Sequence, residues 1–357
     1  MKKITAIILA LALMLVLCAC GQSSQPAAPA QDAAPAQDAA PAAEGGAEMS
    51  EAAQKYPSEK VITWYTQAAG SASDVIARIV GPKLGEILGQ NVVYENLGGA
   101  GGMNMLMPVY NAPADGYSIA SLTVPALCMT PFSPDCPYSY EDFSALYCVQ
   151  KQPQCLTVRA DAPYTTIEEF IDYINENPNT VRLGSPGASS VHYMALAGWQ
   201  LETGLPFSVI AYDDAPTLNA ALLGGHIEGL ALGYSEIAQY VDSGDFRILC
   251  FTTHHEQKPA GYEDIPTFAD LGYEAKGVAF QGICMKAGTD PDVYKKITDA
   301  FDQVFAAPDV IAQLTEANIW IEGTFEGPEQ FTQTIIDDYN YYEKVLTETG
   351  LMQELYG

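Results

Sequence analysis

The chain is poor in positive charge. It has 16 Lys and Arg residues against 44 Asp and Glu, which gives a formal net charge of −28 at pH 7. So negative a field repels phosphate groups, which argues against a nucleic-acid-binding function. The same field offers an anionic ligand no long-range attraction, so any bound anion would have to be held by local backbone dipoles.

The chain also lacks the common signatures of catalysis and metal binding. It contains neither HExxH nor GxSxG, and it has no CxxC pair that would indicate a metal site. The doublet His254–His255 has no neighbouring ligand pattern and is interpreted as part of a surface loop. The glycine-rich segment 98–102 lacks the Lys-Ser/Thr of a P-loop and the spacing of a dinucleotide fingerprint, so it is interpreted as a tight turn. An exported enzyme using Asp74 and His192 as acid and base remains an alternative without a supporting motif.

Long hydrophobic runs are absent except at the amino terminus. Lys2 and Lys3 precede an apolar run, Ile4–Leu17, interrupted only by Thr5, which is shorter than the roughly 20 residues that span a bilayer. The run ends in Leu-Cys-Ala-Cys, and the small residue directly before Cys20 resembles the lipobox of bacterial lipoproteins. The sequence therefore predicts a signal peptide over residues 1–19 and a lipid-modified Cys20, which would tether the mature chain outside the cytoplasm on the bacterial cell membrane. An ordinary signal peptide with an incidental cysteine is the alternative.

A low-complexity segment rich in Ala, Pro, Gln and Asp follows the predicted signal. The hexapeptide Pro-Ala-Gln-Asp-Ala-Ala occurs twice, at 29–34 and at 35–40. Because this segment has almost no apolar surface to bury, residues 20–56 are predicted to form a disordered tether. A coil of this length would reach roughly 30–36 Å from the membrane.

Six cysteines lie beyond this segment. Export would permit disulfides, but six cysteines allow 15 complete pairings and the sequence does not choose among them. Cys148 and Cys155 could face each other across a hairpin, and Cys128 and Cys136 are also close along the chain. Buried free thiols are the other possibility.

From about Pro57 the sequence alternates between strand and helix patterns, which predicts an α/β fold with parallel strands. The predicted strands are 60–66, 91–95, 181–184, 207–212, 227–232 and 283–286, and helices are predicted at 75–88, 167–177, 191–201 and 217–223 and from Pro291, Pro308 and Gly327. Thr165-Thr166-Ile167-Glu168 is interpreted as a capping box that opens one of these helices. Two α/β lobes fit the length better than one.

Two small-residue loops are the strongest functional candidates. Gly70–Asp74 and Ser185–Ser190 each join the carboxyl end of a predicted strand to the amino terminus of a predicted helix. Open α/β sheets bind ligands at such positions, where free backbone N–H groups and a partial positive charge favour carboxylate or phosphate. Two such loops on separate lobes could converge across a cleft.

A series of short motifs, in order over nearly all of residues 56–357, carries a resemblance to a known family. The motifs are YPSEKVI at 56–62, GSASD at 70–74, GQNVVYEN at 89–96, GAGG at 99–102, ADGY at 114–117, GSPG at 184–187, LLGGH at 222–226, DIPT at 264–267 and AGTD at 287–290. They are similar to motifs of the Bug family of extracytoplasmic solute receptors, the TctC-like component of tripartite tricarboxylate transporters.

The resemblance implies a type II periplasmic-binding-protein fold, with two α/β lobes and a ligand cleft at the hinge. Lobe 1 would comprise residues 57–157 plus 280–357, and lobe 2 residues 158–279. The family typically holds a carboxylate between two strand–helix loops, without a cofactor or catalysis. Transferred by position, the ligand-binding residues are Gly70, Ser71, Ala72, Ser73 and Asp74 in the first loop, Ser185, Gly187, Ala188, Ser189 and Ser190 in the second, and Thr123, Tyr212, Ala215, Tyr234 and Phe280 as walls. Whether His192 reaches the cleft or packs inside a lobe is left open.

The pair Asp213–Asp214 departs from the family pattern, in which a basic residue and Gly often follow the tyrosine. If these acids face outward they form a solvated turn; if they face the cleft they favour an amine-bearing, uncharged or monocarboxylic ligand over a multiply charged anion. The resulting hypothesis is a membrane-anchored solute-binding protein that delivers a small organic acid, or a related metabolite, to the membrane subunits of a tripartite transporter. A receptor that feeds a signalling system and a structural lipoprotein are the alternatives.

Overall fold

The computed structural model describes residues 49–253, 258–277, 279–319 and 325–357. The predicted signal peptide, Cys20, most of the predicted tether (residues 20–48) and His254–His255 lie outside the described residues. No helix in the described ranges combines the length and apolarity needed to cross a bilayer.

The described residues form ten strands and eleven α-helices. The strands are β1 Ile62–Thr66, β2 Val92–Asn96, β3 Ser118–Thr123, β4 Phe143–Gln152, β5 Gln154–Arg159, β6 Arg182–Pro186, β7 Ser208–Tyr212, β8 Gly229–Gly233, β9 Phe246–Phe251 and β10 Ala279–Lys286. The helices are α1 Glu51–Lys55, α2 Ala72–Leu88, α3 Met103–Asn111, α4 Ile167–Glu176, α5 Val191–Thr203, α6 Ala215–Leu223, α7 Tyr234–Asp242, α8 Pro291–Phe305, α9 Pro308–Glu316, α10 Pro328–Glu348 and α11 Leu351–Tyr356.

Two five-stranded sheets confirm the predicted two-lobed α/β fold. Their strand orders are β2-β1-β3-β10-β4 in lobe 1 and β7-β6-β8-β5-β9 in lobe 2. Within each sheet three neighbouring strands are parallel, and a fourth strand joins them in antiparallel orientation: β10, which returns from beyond lobe 2, in the first sheet, and β5, the first strand of lobe 2, in the second. The chain crosses between the lobes at Pro153 and again between β9 and β10, so lobe 1 is built from two segments of the chain and lobe 2 from one.

The first crossing lies earlier than the predicted boundary at residue 157. Strand β5 belongs wholly to the second sheet, because Gln154 already pairs with Gly233 of β8. Cys148 and Cys155 therefore lie in different sheets rather than across a hairpin. All six cysteines in the described residues are free thiols, and all except Cys136 are buried.

Helices cover both faces of each sheet. In lobe 1 one apolar cluster joins β1 to α2 and α8, where Trp64 packs edge-to-face on Phe301 at 6.1 Å between ring centroids. The other face of that sheet is covered by α3 and α10. In lobe 2 the α4 and α5 helices cover one face, around Trp199, and α6 and α7 cover the other.

Ordered structure begins before the predicted end of the tether. Ser50 caps α1 by accepting a hydrogen bond from the backbone N–H of Ala53 at 3.1 Å. Tyr56, only 3 % exposed, donates its hydroxyl to the carbonyl of Gly116 at 3.0 Å. The Lys296 ammonium of α8 donates to the carbonyls of Ala53 and Tyr56. These contacts make residues 50–56 part of lobe 1.

Candidate ligand-binding site

The topology directs one edge of each sheet toward the two chain crossings. Strand β4 ends at the first crossing, and β1, β2 and β3 run in the same direction as β4, so their carboxyl ends lie at that edge. Strand β5 begins at the crossing, and the antiparallel β8 with its parallel neighbours β6 and β7 therefore ends there. These two hinge-facing edges carry both loops that the sequence singled out.

The first loop is shaped by Asp74, whose carboxylate is already fully engaged. It accepts hydrogen bonds from the backbone N–H of Gly70 at 2.9 Å, from Arg78 Nε at 3.0 Å and from Asn96 Nδ2 at 2.8 Å. Burial raises the cost of ionising Asp74, but the hydrogen bonds from Arg78 and Asn96 outweigh it and hold the pKa below the usual aspartate range. Asp74 therefore positions the loop, and neither oxygen is left unbonded to act as a base.

The helix that follows this loop has free donors in its first turn. Ser71 is the cap of α2, and its hydroxyl accepts from the N–H of Asp74 at 3.3 Å and lies 3.1 Å from the Ser73 hydroxyl. Within the described residues the backbone N–H groups of Ala72 and Ser73 have no hydrogen-bond partner. Such N–H groups, together with the helix dipole, are the kind of donors that can bind an anion.

The second loop is built in the same way. The carbonyl of Gly187 accepts from the hydroxyls of Ser190 at 2.9 Å and Ser185 at 3.4 Å, while the N–H of Gly187 donates to the carbonyl of Tyr212 at 2.8 Å. A φ of +80° at Gly187 permits this turn. The N–H groups of Ala188 and Ser189 lack partners among the described residues. Ser189 itself is exposed.

The hydroxyl of Ser190 also caps α5, by accepting from the N–H of Tyr193 at 3.1 Å. This neutral cap leaves the N–H groups of Val191 and His192 unpaired within the described residues. The first turn of α5 thus offers the same kind of donors as the first turn of α2, from the opposite lobe.

The wall residues differ in where they lie. Tyr212 is half-buried at the end of β7, and Ala215 is the first residue of α6, so both are at the hinge-facing edge. Tyr234 faces a cavity of about 460 Å³ at the first crossing. That cavity is lined by Gln150, Gln152, Pro153, Tyr234, Ser235, Ala238, Pro259, Thr315 and Asn318.

Phe280 does not form a wall. Its side chain is only 1 % exposed and packs edge-to-face on Phe331, with 5.0 Å between ring centroids, inside the core of lobe 1. The alternation of β10 directs Phe280 toward α10 and its neighbour Gln281 toward the opposite face. The structure therefore corrects the sequence prediction at this position.

Asp213 and Asp214 form the turn between β7 and α6. Asp214 caps α6 by accepting from the N–H of Thr217 at 2.8 Å, and this hydrogen bond lowers the pKa of Asp214. Asp213 is exposed, with no partner among the described residues. Asp214 is therefore used by its own helix.

Buried polar atoms without partners accumulate at the hinge-facing edges, and the sequence did not single most of them out. In lobe 1 they include the hydroxyl oxygens of Thr66 and Thr123, which end β1 and β3. Both lie on the sheet face under α2, because Trp64 and Ser121, two residues earlier, bond to each other at 3.1 Å on that face. Thr123 was predicted from the family pattern, whereas Thr66 gave no signal beyond being a polar residue at the end of a buried strand.

In lobe 2 the unpartnered buried atoms include both ring nitrogens of His192, Gln154 Oε1 and the hydroxyls of Thr252 and Thr253. His192 lies on the face of α5 that also carries Leu196 and Trp199, which are buried in lobe 2. It therefore packs inward rather than into the open cleft, and burial lowers its pKa to about 4. No group of three or more His, Cys, Asp or Glu side chains in the described ranges could hold a metal ion.

Two sheets that meet at two crossings, with helix amino termini at the shared edge, define a two-lobed solute-binding protein. A solved structure of a TctC solute-binding protein from Polaromonas has a TM-score of 0.75 and 26 % identity to this chain, with 82 % of this chain and 99 % of that one covered. A UPF0065 protein encoded in the gbd 5′ region of Cupriavidus necator is 28 % identical over 300 residues, covering 84 % of this chain and 90 % of the relative. A protein from R. palustris, solved with adipate, shares the fold at a TM-score of 0.61 and 19 % identity, covering 83 % and 98 %.

The family model for the tripartite tricarboxylate transporter family receptor, TctC, matches residues 76–351. The chain belongs to this family, which confirms the resemblance seen in the sequence. Its members are solute-binding receptors of the periplasmic type and not enzymes.

Proposed function

We propose that this chain is an extracytoplasmic receptor that closes its two lobes around a small organic acid and delivers it to the membrane subunits of a tripartite transporter. The observation that carries the proposal is the pair of free helix amino termini, α2 and α5, at the hinge-facing edges of opposite lobes. Each can donate backbone N–H groups to one side of a carboxylate, and a ligand that contacts both lobes favours the closed state.

The ligand-binding residues of this proposal are those of the two loops together with Thr123, Tyr212 and Ala215 at the same edges. Ser73 and Asp74 act mainly by shaping the first loop, because both are at most 3 % exposed. Ser189 is the most accessible member of the second loop. The adipate bound to the R. palustris neighbour supports a carboxylate as the ligand class.

Anchoring by lipid on Cys20 is part of the same proposal and rests on the amino-terminal sequence. It would keep the receptor next to the transporter on a flexible tether. Mass spectrometry of the mature protein from its bacterial host tests it, since a diacylglycerol-modified amino terminus at Cys20 is expected. A mature protein that begins elsewhere and partitions into the aqueous phase would contradict it.

Thermal unfolding of the full chain against a panel of mono-, di- and tricarboxylates and amino acids tests the receptor function. A ligand at 100 times its dissociation constant adds about 2.7 kcal/mol to the free energy of unfolding, which raises the midpoint by several degrees. Replacing Ser189 with Trp should abolish the shift without lowering the midpoint of the unliganded protein. The matched control is Ser208→Trp, an exposed serine at the opposite end of the same sheet, which should leave the shift intact. A shift retained in Ser189→Trp would contradict this site, and a flat panel would contradict carboxylate binding.

A further inference from the structure

The amino termini of helices at the hinge-facing edge of lobe 2 are not equally available to a ligand. Three helices, α5, α6 and α7, begin there. The amino terminus of α6 is closed by Asp214, and that of α7 by Glu236, whose carboxylate accepts from the N–H of Gly233 at 3.0 Å. Only α5 is capped by a neutral hydroxyl, that of Ser190. Among the described residues, the hinge-facing edge of lobe 2 therefore has one helix terminus free for an external carboxylate, and the other two at that edge already hold negative charge.

The lysine side chains near the crossings already form ion pairs with acids. Lys151, at the end of β4, lies 2.5 Å from Glu326, and Lys276, before β10, lies 2.6 Å from Asp338. Every other Lys and Arg side chain in the described ranges is likewise paired with an acid or donates to a backbone carbonyl. A second carboxylate on the ligand would thus find no uncommitted positive side chain.

The hinge-facing edge of lobe 2 instead offers an unsatisfied acceptor. Gln154 is fully buried, and its amide nitrogen donates to the carbonyl of Gln152 at 3.1 Å. This bond fixes the orientation of the amide, so Oε1 is the atom left without a partner. A buried carbonyl oxygen can be satisfied only by an O–H or N–H donor, and leaving it unsatisfied costs free energy.

Thr252, whose hydroxyl is also buried without a partner, lies next to Gln154. The Cβ position of Gly277 lies 2.9 Å from the Thr252 hydroxyl, 3.1 Å from Ala195 Cβ and 3.6 Å from Gln154 Cβ, so these residues meet at one place. His192 precedes Ala195 by three residues on α5 and shares its face. We call Gln154 and Thr252 the Gln154 cluster; both lie next to Ala195 in the second turn of α5, one turn beyond the free N–H groups.

We propose that the ligand is a monocarboxylate that carries hydroxyl or amine donors at its other end, and that the Gln154 cluster receives those donors. The carboxylate occupies the amino termini of α2 and α5, and a hydroxyl or amine donates to Gln154 Oε1. This inference rests on the proposed receptor function and names its ligand class. A second carboxylate is disfavoured because it brings no donor and meets two helix termini that are already negative.

Four compounds with one carbon skeleton test this proposal: butyrate, 4-hydroxybutyrate, 4-aminobutyrate and succinate, with the corresponding three-, five- and six-carbon sets to allow for cleft length. Binding of each to the full chain is measured by titration calorimetry. At the preferred length we expect the hydroxyl- or amine-terminated acid to bind at least about tenfold more tightly than the methyl-terminated acid and the diacid. A diacid that binds as tightly as the donor-bearing acid overturns the proposal.

Variants identify the acceptor. Gln154→Met keeps the size and removes the carbonyl, so it should cost the donor-bearing acid about tenfold in affinity and leave the methyl-terminated acid unchanged. Thr157→Val is the matched control, since Thr157 also carries a buried unpartnered hydroxyl but lies three residues further along β5. Thr252→Val replaces Gln154→Met if that variant does not fold. Unchanged selectivity in the cluster variants overturns the assignment and leaves the atom to a buried water.

The failure of this inference differs from failure of the receptor function. If the four-compound sets give no preference but another carboxylate binds and Ser189→Trp abolishes that binding, the receptor stands and the ligand class is wrong. If no carboxylate binds the chain at all, the receptor function itself is wrong.

Discussion

Lys276→Met should be among the most damaging single substitutions outside the proposed binding loops. Lys276 lies in the second crossing, and its ammonium is 2.6 Å from Asp338 on α10. The side chains are only 14 % and 2 % exposed, so the pair is shielded from solvent. Lys276 also lies 5.5 Å from the centre of the Tyr341 ring. The other carboxylate oxygen of Asp338 has no hydrogen-bond partner, so the Lys276 ammonium provides most of the stabilisation of the buried negative charge on Asp338.

Removing one partner of a buried ion pair costs about 3–5 kcal/mol, because the remaining charge is left buried and unpaired. Asp338 can reduce this cost by taking up a proton. Burial already raises the pKa of Asp338, against the attraction of Lys276 and Lys151, and loss of the Lys276 ammonium raises it further. A carboxyl group whose pKa is higher in the folded state contributes stability below its unfolded pKa and loses that contribution as the pH rises through the folded pKa. The variant should therefore lose most stability near pH 8 and less near pH 5.

Urea unfolding of the wild-type chain and the variant, at pH 5, 6, 7 and 8, measures this difference. The double variant Lys276→Met with Asp338→Leu should recover most of the loss, because replacing both partners by apolar side chains leaves no buried charge. A loss below about 1 kcal/mol at pH 8 would refute the reasoning, since an exposed pair would behave that way. A loss that grows as the pH falls would refute the assignment of Asp338 as the unpaired group.

Two further substitutions test local features of the fold. Gly282→Ala should destabilise the chain by about 1–3 kcal/mol, because a Cβ at this position would overlap the ring of Phe331, and Phe331→Leu in the same chain should relieve part of the loss in a urea melt. Thr166→Ala should cost about 1 kcal/mol, because Thr166 caps α4 by accepting from the N–H of Glu169 at 3.3 Å, and an unchanged urea midpoint would contradict that role.

Local patterns in the sequence were sufficient for the parallel part of each lobe. The buried strand β1 and the apolar spacing of α2 were predicted to within two or three residues, because both depend on periodicity along one segment. The helix cap before α4 was displaced by one residue: Thr166 is the cap, whereas Thr165 bonds to the carboxylate of Glu169. Capping preferences of neighbouring threonines are too similar for the sequence to separate them.

Pairing between distant segments could not be predicted in the same way. Strand β10 joins a sheet whose other strands lie more than 120 residues earlier, and its place in lobe 1 was expected from the family resemblance and not from local pattern. Strand β5 was predicted to belong to lobe 1 as far as residue 157, because its pairing with β8 and β9 depends on tertiary contacts. The start of the ordered chain was missed for a similar reason. The Ala-rich residues before Tyr56 resemble the tether in composition, and their order comes from Ser50, Tyr56 and Lys296 contacting lobe 1.

The candidate site likewise contains residues that a local sequence signal could identify and residues that it could not. The two loops could be found from sequence because small residues between a strand and a helix are a local signal. Thr66, Gln154 and Thr252 could not, since a polar residue at the end of a strand is ordinary until its neighbours are known. Phe280 was assigned to the wrong surface because the family pattern gave its position along the chain but not the face of β10 on which it lies.

Under the proposed function, the ion pairs of the lysines and arginines are consistent with an acidic receptor that holds an anion without a positively charged side chain. A free lysine in the cleft would attract any anion and would give little selectivity. The N–H groups at the starts of α2 and α5 would bind only an anionic group that fits between the two helix termini. Lys151 and Lys276, which lie near the two crossings, instead form ion pairs with Glu326 and Asp338, and these pairs hold the crossings against the α10 region. Under the proposed function, closure depends on a ligand that matches the geometry of the two lobes, since only such a ligand has a higher affinity for the closed state. Negative caps on α6 and α7 would restrict that ligand further, because among the described residues they leave α5 as the one helix terminus at the hinge-facing edge of lobe 2 where a carboxylate does not meet a like charge.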